Sequence, residues 1–334
     1  MTLFWILVQF VVCTALVVVS GVRLSRYGDI IAEKTGIGGT WVGLVLLAAV
    51  TSLPELITGA SSIVIFDVAD IAVGDVVGSC MFNLLILAFL DFAHPKPLSA
   101  TIHQGHVLSA AFGLVMLGAA SLAVLAGDRG VAVGWVGVQS VIFLALYGFA
   151  VHTIFKFERT RVSALAEELT GEIKYRDITL RRAIWAYVAG AAVMIVAAAY
   201  LPGLGEELAT VTGLNQSIVG SLFVAISTSL PELVVTGAAA RMGAFDMAVG
   251  NLFGSNLFNV AVLGVDDLLY TRGSLLVDAS PAHVFTLISA MLMTSIAIIG
   301  LTFRAQRKRY PLSWDAFFIA GVYLLGVVLL WRMA

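Results

Sequence analysis

Apolar stretches long enough to cross a bilayer alternate along this chain with short polar intervals. Ten occur, at about 3–22, 40–66, 69–91, 105–126, 131–155, 180–201, 214–240, 245–270, 281–302 and 312–331. A membrane-spanning helix needs about 20 residues, so the pattern predicts an all-α integral membrane protein of ten transmembrane helices. One feature interrupts it. In "AVTSLPELITGASS", residues 49–62, Pro54 and Glu55 stand side by side near the middle of an apolar stretch, and "ISTSLPELVVTGAA", residues 226–239, repeats the oddity with Pro231 and Glu232.

Composition agrees with a membrane protein. Of 334 residues, 60% are apolar and only 12% charged, and the mean hydropathy is +1.00, beyond what a soluble domain requires. The first stretch lacks a basic leader and is followed by Arg23 and Arg26, which predicts a retained first helix with its N-terminus outside. Lys and Arg fall asymmetrically. With an external N-terminus, all but Arg129, Arg272 and Arg332 lie on the cytoplasmic side. The positive-inside rule then predicts both termini outside, in a multi-pass protein of the plasma or inner membrane. The net charge of −2 and the lack of a basic, aromatic-interleaved patch argue against nucleic acid as a partner. Cys13 and Cys80 lie in apolar stretches and offer no disulfide framework.

The chain repeats itself. A shift of 177 brings Thr51-Ser52-Leu53-Pro54-Glu55-Leu56 onto Thr228-Ser229-Leu230-Pro231-Glu232-Leu233, Gly36 onto Gly213, Gly43 onto Gly220 and His106 onto His283. A shift of 176 brings "DIAVGDVVGSCMFN", Asp70–Asn83, onto "DMAVGNLFGSNLFN", Asp246–Asn259. The units are therefore two five-helix halves, 1–156 (with its motif at 49–91) and 180–334 (with its motif at 226–267). A charged cytoplasmic linker, 157–179, joins them. Five is odd, so the second half must enter the membrane from the opposite side. Such inverted repeats characterise secondary transporters with a site near the bilayer midplane.

The repeated residues suit cations. Pro54 and Pro231 have no N–H to give to the carbonyls of Val50 and Ser227, and their rings loosen the turn that precedes them. Freed backbone oxygens are tolerated in a membrane only where they line protein or a water-filled cavity. A mid-bilayer carboxylate costs about 3 kcal/mol on insertion scales and usually marks a pathway. Thr51 and Glu55 share a helical face, as do Ser79 and Asn83, Thr228 and Glu232, and Ser255 and Asn259. A proline kink alone can serve packing, and a lone buried carboxylate can be structural. Both together, twice at matched positions, favour an oxygen-rich site for a hard cation such as Ca²⁺, which takes six to eight oxygens. Asp70 and Asp246 precede helix starts and read as N-caps. His94, His103, His106, His152 and His283 fall mostly near helix ends and read as interfacial.

On "TSLPEL" in both halves, with "GDVVGSCMFN" and "GNLFGSNLFN", the sequence resembles the cation/Ca²⁺ exchanger superfamily, in particular its prokaryotic Na⁺/Ca²⁺ exchanger branch. The resemblance implies Glu55 and Glu232 as central Ca²⁺ ligands, aided by backbone carbonyls of Thr51 and Thr228. It implies Na⁺ sites completed by Ser52, Ser79, Asn83, Ser229, Ser255 and Asn259, and alternating access by sliding of the first and sixth helices across a static core. Three positions depart from the family pattern: Asn259 replaces a common aspartate, Asp75 stands opposite Asn251, and Cys80 stands opposite Asn256. With only two carboxylates at the midplane, either Na⁺ or H⁺ could be the counter-ion. The doubled "TSLPE" favours Na⁺. Asp75, one turn before Ser79, is expected to line the same passage. The expected function is thus Ca²⁺/Na⁺ antiport, with Ca²⁺/H⁺ antiport as the alternative. The chain is expected to act as a monomer in the bilayer, without a cofactor or an obligate protein partner. An intramembrane enzyme is disfavoured because no histidine sits in either motif. A channel is disfavoured because it would seldom use two inverted halves around paired glutamates.

Overall fold

A computed structural model describes residues 3–66, 68–127, 131–168, 175–212, 227–308 and 311–333. The chain is helical almost throughout, and eight of the described helices are long and apolar enough to cross a membrane. Helix α1, Leu3–Thr35, opens the chain. Its 33 residues reach about 50 Å, well past the roughly 30 Å hydrocarbon core. The expected span, 3–22, is therefore extended through Arg23 and Arg26. Nothing in the sequence breaks the helix before Gly36 and Gly38, whose φ values of 65° and 94° end it.

Span α2, Gly39–Ile65, is broken in the middle. Its first arm widens into a π-helical turn over Val42–Leu47 and ends at Thr51. Ser52 leaves helical geometry at φ −95°, ψ 7°, and a new helix with Pro54 in its first turn starts at Leu53. Helix α3 follows (Ala69–Ala93), then the short α4 (Leu98–Thr101) and α5 (Gly105–Ala126). Residues 131–137, expected at the start of a span, instead form a small antiparallel hairpin of β1 (Ala132–Val133) and β2 (Val136–Gly137), turning at Gly134 with φ 66°. Helix α6 then runs Val138–Glu168, extending into the charged segment expected as linker.

Helix α7, Leu180–Thr212, contains Pro202. Most of the first arm of the seventh stretch, including Gly213 and Gly220, lies outside the described residues. Its second arm is α8, Leu230–Arg241, preceded by a break at Ser229 with φ −87°, ψ 3°. The two breaks thus have nearly the same backbone geometry. The remaining helices are α9 (Phe245–Leu269), α10 (Leu275–Asp278), α11 (His283–Phe303) and α12 (Trp314–Met333).

Helices α3 and α9 form the centre, packed on each other and on the broken arms. Glycines set their approach. A Cβ on Gly43 would strike the Met247 backbone, one on Gly250 the Thr40 carbonyl, and one on Gly254 the Leu44 backbone. Helices α1 and α7 lie side by side and touch the centre mainly through α8 and the first arm of α2. There the Ser25 hydroxyl donates to the Val235 carbonyl at 2.9 Å. Large apolar side chains such as Trp185, Val196, Leu122 and Phe317 point outward, as a lipid-facing surface requires.

Two reciprocal contacts tie the halves together. His106 Nε2 lies 3.0 Å from Asp246 Oδ1, and His283 Nε2 lies 3.0 Å from Asp70 Oδ1. Asp246 also accepts from the His103 N–H at 2.7 Å, and Asp70 from the Ser280 N–H at 2.6 Å. Neither aspartate caps its own helix, whose N-cap positions are Val68 and Ala244. The expected capping role is corrected: each aspartate fastens the start of a central helix to the opposite half. His106, at the start of α5, is fully buried within the protein. Asp91 and Asp267, paired by the 176 shift, anchor loops at the far ends of α3 and α9. Asp91 accepts from the N–H groups of Leu98 and Ser313 and from Lys308 Nζ. Asp267 accepts from the N–H groups of Gly137 and Leu275 and from the Ser140 hydroxyl.

Candidate ion-binding site

The two breaks meet at the centre between α3 and α9. Across the α2 break, Ser52 N–H donates to Ala48 and Leu56 N–H to Ser52, while among the described residues no backbone N–H reaches the carbonyls of Val50 or Thr51. The second break repeats the first bond pattern, with Leu233 N–H donating to Ser229. Proline makes both gaps. A residue that cannot donate leaves one carbonyl free, and the displaced turn frees the next.

Thr51, Ser52, Glu55, Asn83, Thr228, Ser229, Glu232, Ser255 and Asn259 are all fully buried, with Ser79 nearly so, and Asp75 is half-buried. Hydrogen bonds connect the halves through them. Ser52 Oγ donates to Glu232 Oε1 at 2.9 Å, and Ser255 Oγ to the same oxygen at 3.3 Å. Ser79 and Ser229 hydroxyls meet at 3.1 Å, and Thr51 and Ser255 hydroxyls at 3.3 Å. Thr51 Oγ1 also reaches Asn251 Oδ1 at 3.3 Å, and its repeat mate Thr228 Oγ1 reaches Asp75 Oδ1 at 3.1 Å. The site positions chosen from sequence therefore converge on one place.

What is unpaired there matters more. Glu55 Oε1 and Oε2, Glu232 Oε2, Asn83 Oδ1 and Asn259 Oδ1 are buried without a hydrogen-bond partner among the described residues. Buried polar atoms are nearly always satisfied, and an exception calls for a reason such as an ion. With the carbonyl of Thr51, these oxygens number six, the least that Ca²⁺ takes. Their chemistry fits a hard cation. Among the described residues, no group of three or more His, Cys, Asp or Glu side chains is placed to hold a metal ion.

The two asparagines are held differently. Asn83 Nδ2 donates to Asn256 Oδ1 at 3.0 Å. The mirror partner for Asn259 would be Cys80, which has no amide, and both polar atoms of Asn259 are without a partner among the described residues. Asn256 was missed as a candidate. Its signal was the mismatch with Cys80, which reads as a family departure until the tether to Asn83 is seen.

Eight helices of membrane-crossing length and apolarity, packed around a buried, oxygen-rich centre at two helix breaks, define a multi-pass membrane protein. Comparison with known proteins gives the family. The sequence profile of the sodium/calcium exchanger protein family matches residues 5–156 and 182–332, and the chain belongs to that family. It is 30% identical over 329 residues to the Escherichia coli inner membrane protein YrbG, covering 96% of this chain and 94% of that one. It is also 30% identical over 148 residues to the Methanosarcina acetivorans sodium/calcium exchanger MaX1, covering 44% of this chain and 40% of that protein. Among solved structures, the sodium-calcium exchanger NCX_Mj soaked with zero Na⁺ and Ca²⁺ superposes with a TM-score of 0.75 at 19% identity, over 98% of this chain and 100% of that one.

Proposed function

We propose that the protein is a secondary active antiporter that exchanges Ca²⁺ for Na⁺ by alternating access at the site of Glu55, Glu232, Asn83 and Asn259. One observation carries this reading: Glu55 is a fully buried carboxylate with neither oxygen hydrogen-bonded among the described residues. An anion so placed is costly unless a cation joins it. In this reading Thr51, Ser52, Thr228 and Ser229 add backbone or hydroxyl oxygens, and Ser79 and Ser255 complete the smaller Na⁺ positions. Two charges match one Ca²⁺, and each ion is cargo rather than a resident cofactor.

The architecture belongs to the same proposal. Ten helices form two inverted halves, 1–156 and 180–334, joined by the segment 157–179, with both termini external in the cell's inner membrane. A single chain suffices, since both breaks come from one copy. Helices α1 and α7 pack mainly on each other, which supports their sliding together across α3 and α9 to open the site to each side in turn.

H⁺ as counter-ion is the second reading, and the neutral amide of Asn259 favours keeping it. With an amide there, three Na⁺ would leave an excess of one positive charge in a low-dielectric site. Ca²⁺ uptake into proteoliposomes under imposed Na⁺, K⁺ or H⁺ gradients decides between them. Uptake driven by outward Na⁺ supports the proposal. Uptake driven only by H⁺ selects the alternative, and flux without any counter-gradient refutes exchange altogether.

A further inference from the structure

The exchange site leaves one buried charge unused. Asp266, on α9, is fully buried, and neither carboxylate oxygen has a partner among the described residues. It lies seven residues beyond Asn259 and so about 10 Å further along the same helical face. Its carboxylate covers Gly59, where a Cβ would collide with it. Gly59 is one turn beyond Glu55 on the second arm of α2. Asp75, eight residues before Asn83 on α3, is within electrostatic reach of both Asp266 and Glu55. Its Oδ1 accepts from Thr228, but its Oδ2 is buried and without a partner among the described residues.

The mirror image of this corner is neutral and complete. Asp75 corresponds to Asn251, Gly59 to Thr236, and Asp266 to Leu90. Asn251 Nδ2 donates to Thr236 Oγ1 at 3.1 Å, and Asn251 Oδ1 lies 3.3 Å from the Thr51 hydroxyl, so both ends of the amide are used. One side of the exchange site therefore ends in a satisfied amide and a leucine. The other ends in two carboxylates with three unpaired oxygens, over a glycine that leaves them room.

We infer that Asp75 and Asp266 form a second station for a hard cation, Na⁺ or Ca²⁺, on the external side of the exchange site. Carboxylates are hard-cation ligands, and intramembrane carboxylates mark ion pathways. The external side follows from the Lys and Arg asymmetry, which orients α3 with Asp75 toward the outside. The inference rests on the exchange reading for its role: an ion entering from outside would pause here before reaching Glu55.

Equilibrium binding of ⁴⁵Ca²⁺ and ²²Na⁺ to the purified full chain tests the station apart from transport. The Glu55→Gln/Glu232→Gln protein, with the exchange site disabled, should still bind one cation per chain, and adding Asp266→Asn should abolish that binding. The isotope retained identifies the ion. In proteoliposomes of defined orientation, Asp266→Asn alone should raise the half-saturating concentration of that ion at least about tenfold at the external face, the least expected for losing a coordinating carboxylate. The internal face should be unchanged. Asp75→Asn should act in the same direction. If Asp266→Asn folds poorly, Asp75→Asn carries both measurements. No bound cation in the Glu55→Gln/Glu232→Gln protein, or equal shifts at both faces, overturns the station. Absence of counter-transport in the wild type would instead sink the exchange reading and leave the binding result standing.

Discussion

Replacing Glu55 by glutamine isolates the charge on which the exchange site depends. The amide keeps the side chain's size and one oxygen but removes half of the central negative charge. Because neither Glu55 oxygen has a hydrogen-bond partner among the described residues, the effect reports mainly on the ion. Removing one member of a buried charge pair costs about 3–5 kcal/mol. At 1.4 kcal/mol per tenfold change, Ca²⁺ affinity should fall by roughly two to four decades. Glu232→Gln should be at least as severe. Glu232 Oε1 is already taken by Ser52 and Ser255, so keeping those bonds turns the new NH₂ toward the cation. Calorimetric Ca²⁺ titration gives the affinity and ⁴⁵Ca²⁺ uptake gives the transport. A compensating change makes the test stricter: Asn259→Asp in the Glu55→Gln protein restores two carboxylates and should recover at least about tenfold in affinity. Near-wild-type Ca²⁺ affinity in either glutamine variant would refute the assigned site.

Three further outcomes are expected. Asn259→Asp alone should alter ion coupling more than Ca²⁺ binding, seen as stronger Na⁺ competition or a new proton dependence of uptake, because it adds a third charge beside a site that Ca²⁺ already neutralises. Gly254→Ala should destabilise the protein by about 1–3 kcal/mol or prevent assembly, because its methyl would meet the Leu44 backbone; thermal unfolding in detergent checks this. Lys308→Met should cost up to about 3–5 kcal/mol by uncovering the buried Asp91 carboxylate, but the N–H groups of Leu98 and Ser313 still hold Asp91. It should lower thermal stability and leave Ca²⁺ affinity unchanged.

The exchange motif was legible in the sequence because its chemistry is expensive there. A proline beside a carboxylate in an apolar stretch has few explanations, and its recurrence 177 residues later removes most of them. Polar contacts between distant elements were not legible. Asp70 and Asp246 stand where helix caps stand, and only tertiary structure shows that their partners are His283 and His106. Helix ends were misjudged for a related reason. Hydropathy marks where lipid stops, whereas a helix stops where the backbone is broken, as at Gly36 for α1. The turn at 131–137 is apolar enough to pass for a span, but Gly134 and the anchor Asp267 fold it into a hairpin.

Near-equal backbones at Ser52 and Ser229 give the two halves one geometry, yet their side chains do not give one chemistry. A fully symmetric exchanger would present the same residues to ions arriving from either side. Here three substitutions break that equivalence in a consistent direction. Cys80 releases Asn259 from the tether that holds Asn83, while Asp75 and Asp266 place charge where the mirror side has Asn251 and Leu90. All three leave buried oxygens without a partner among the described residues, and none is required for the breaks, which come from proline. Substitutions that leave buried polar atoms unsatisfied persist when function compensates their cost. On the proposed exchange reading, the asymmetry tunes ion entry and coupling. It follows that replacing the residues of one corner by those of its mirror should shift ion affinity at one face without disturbing the fold.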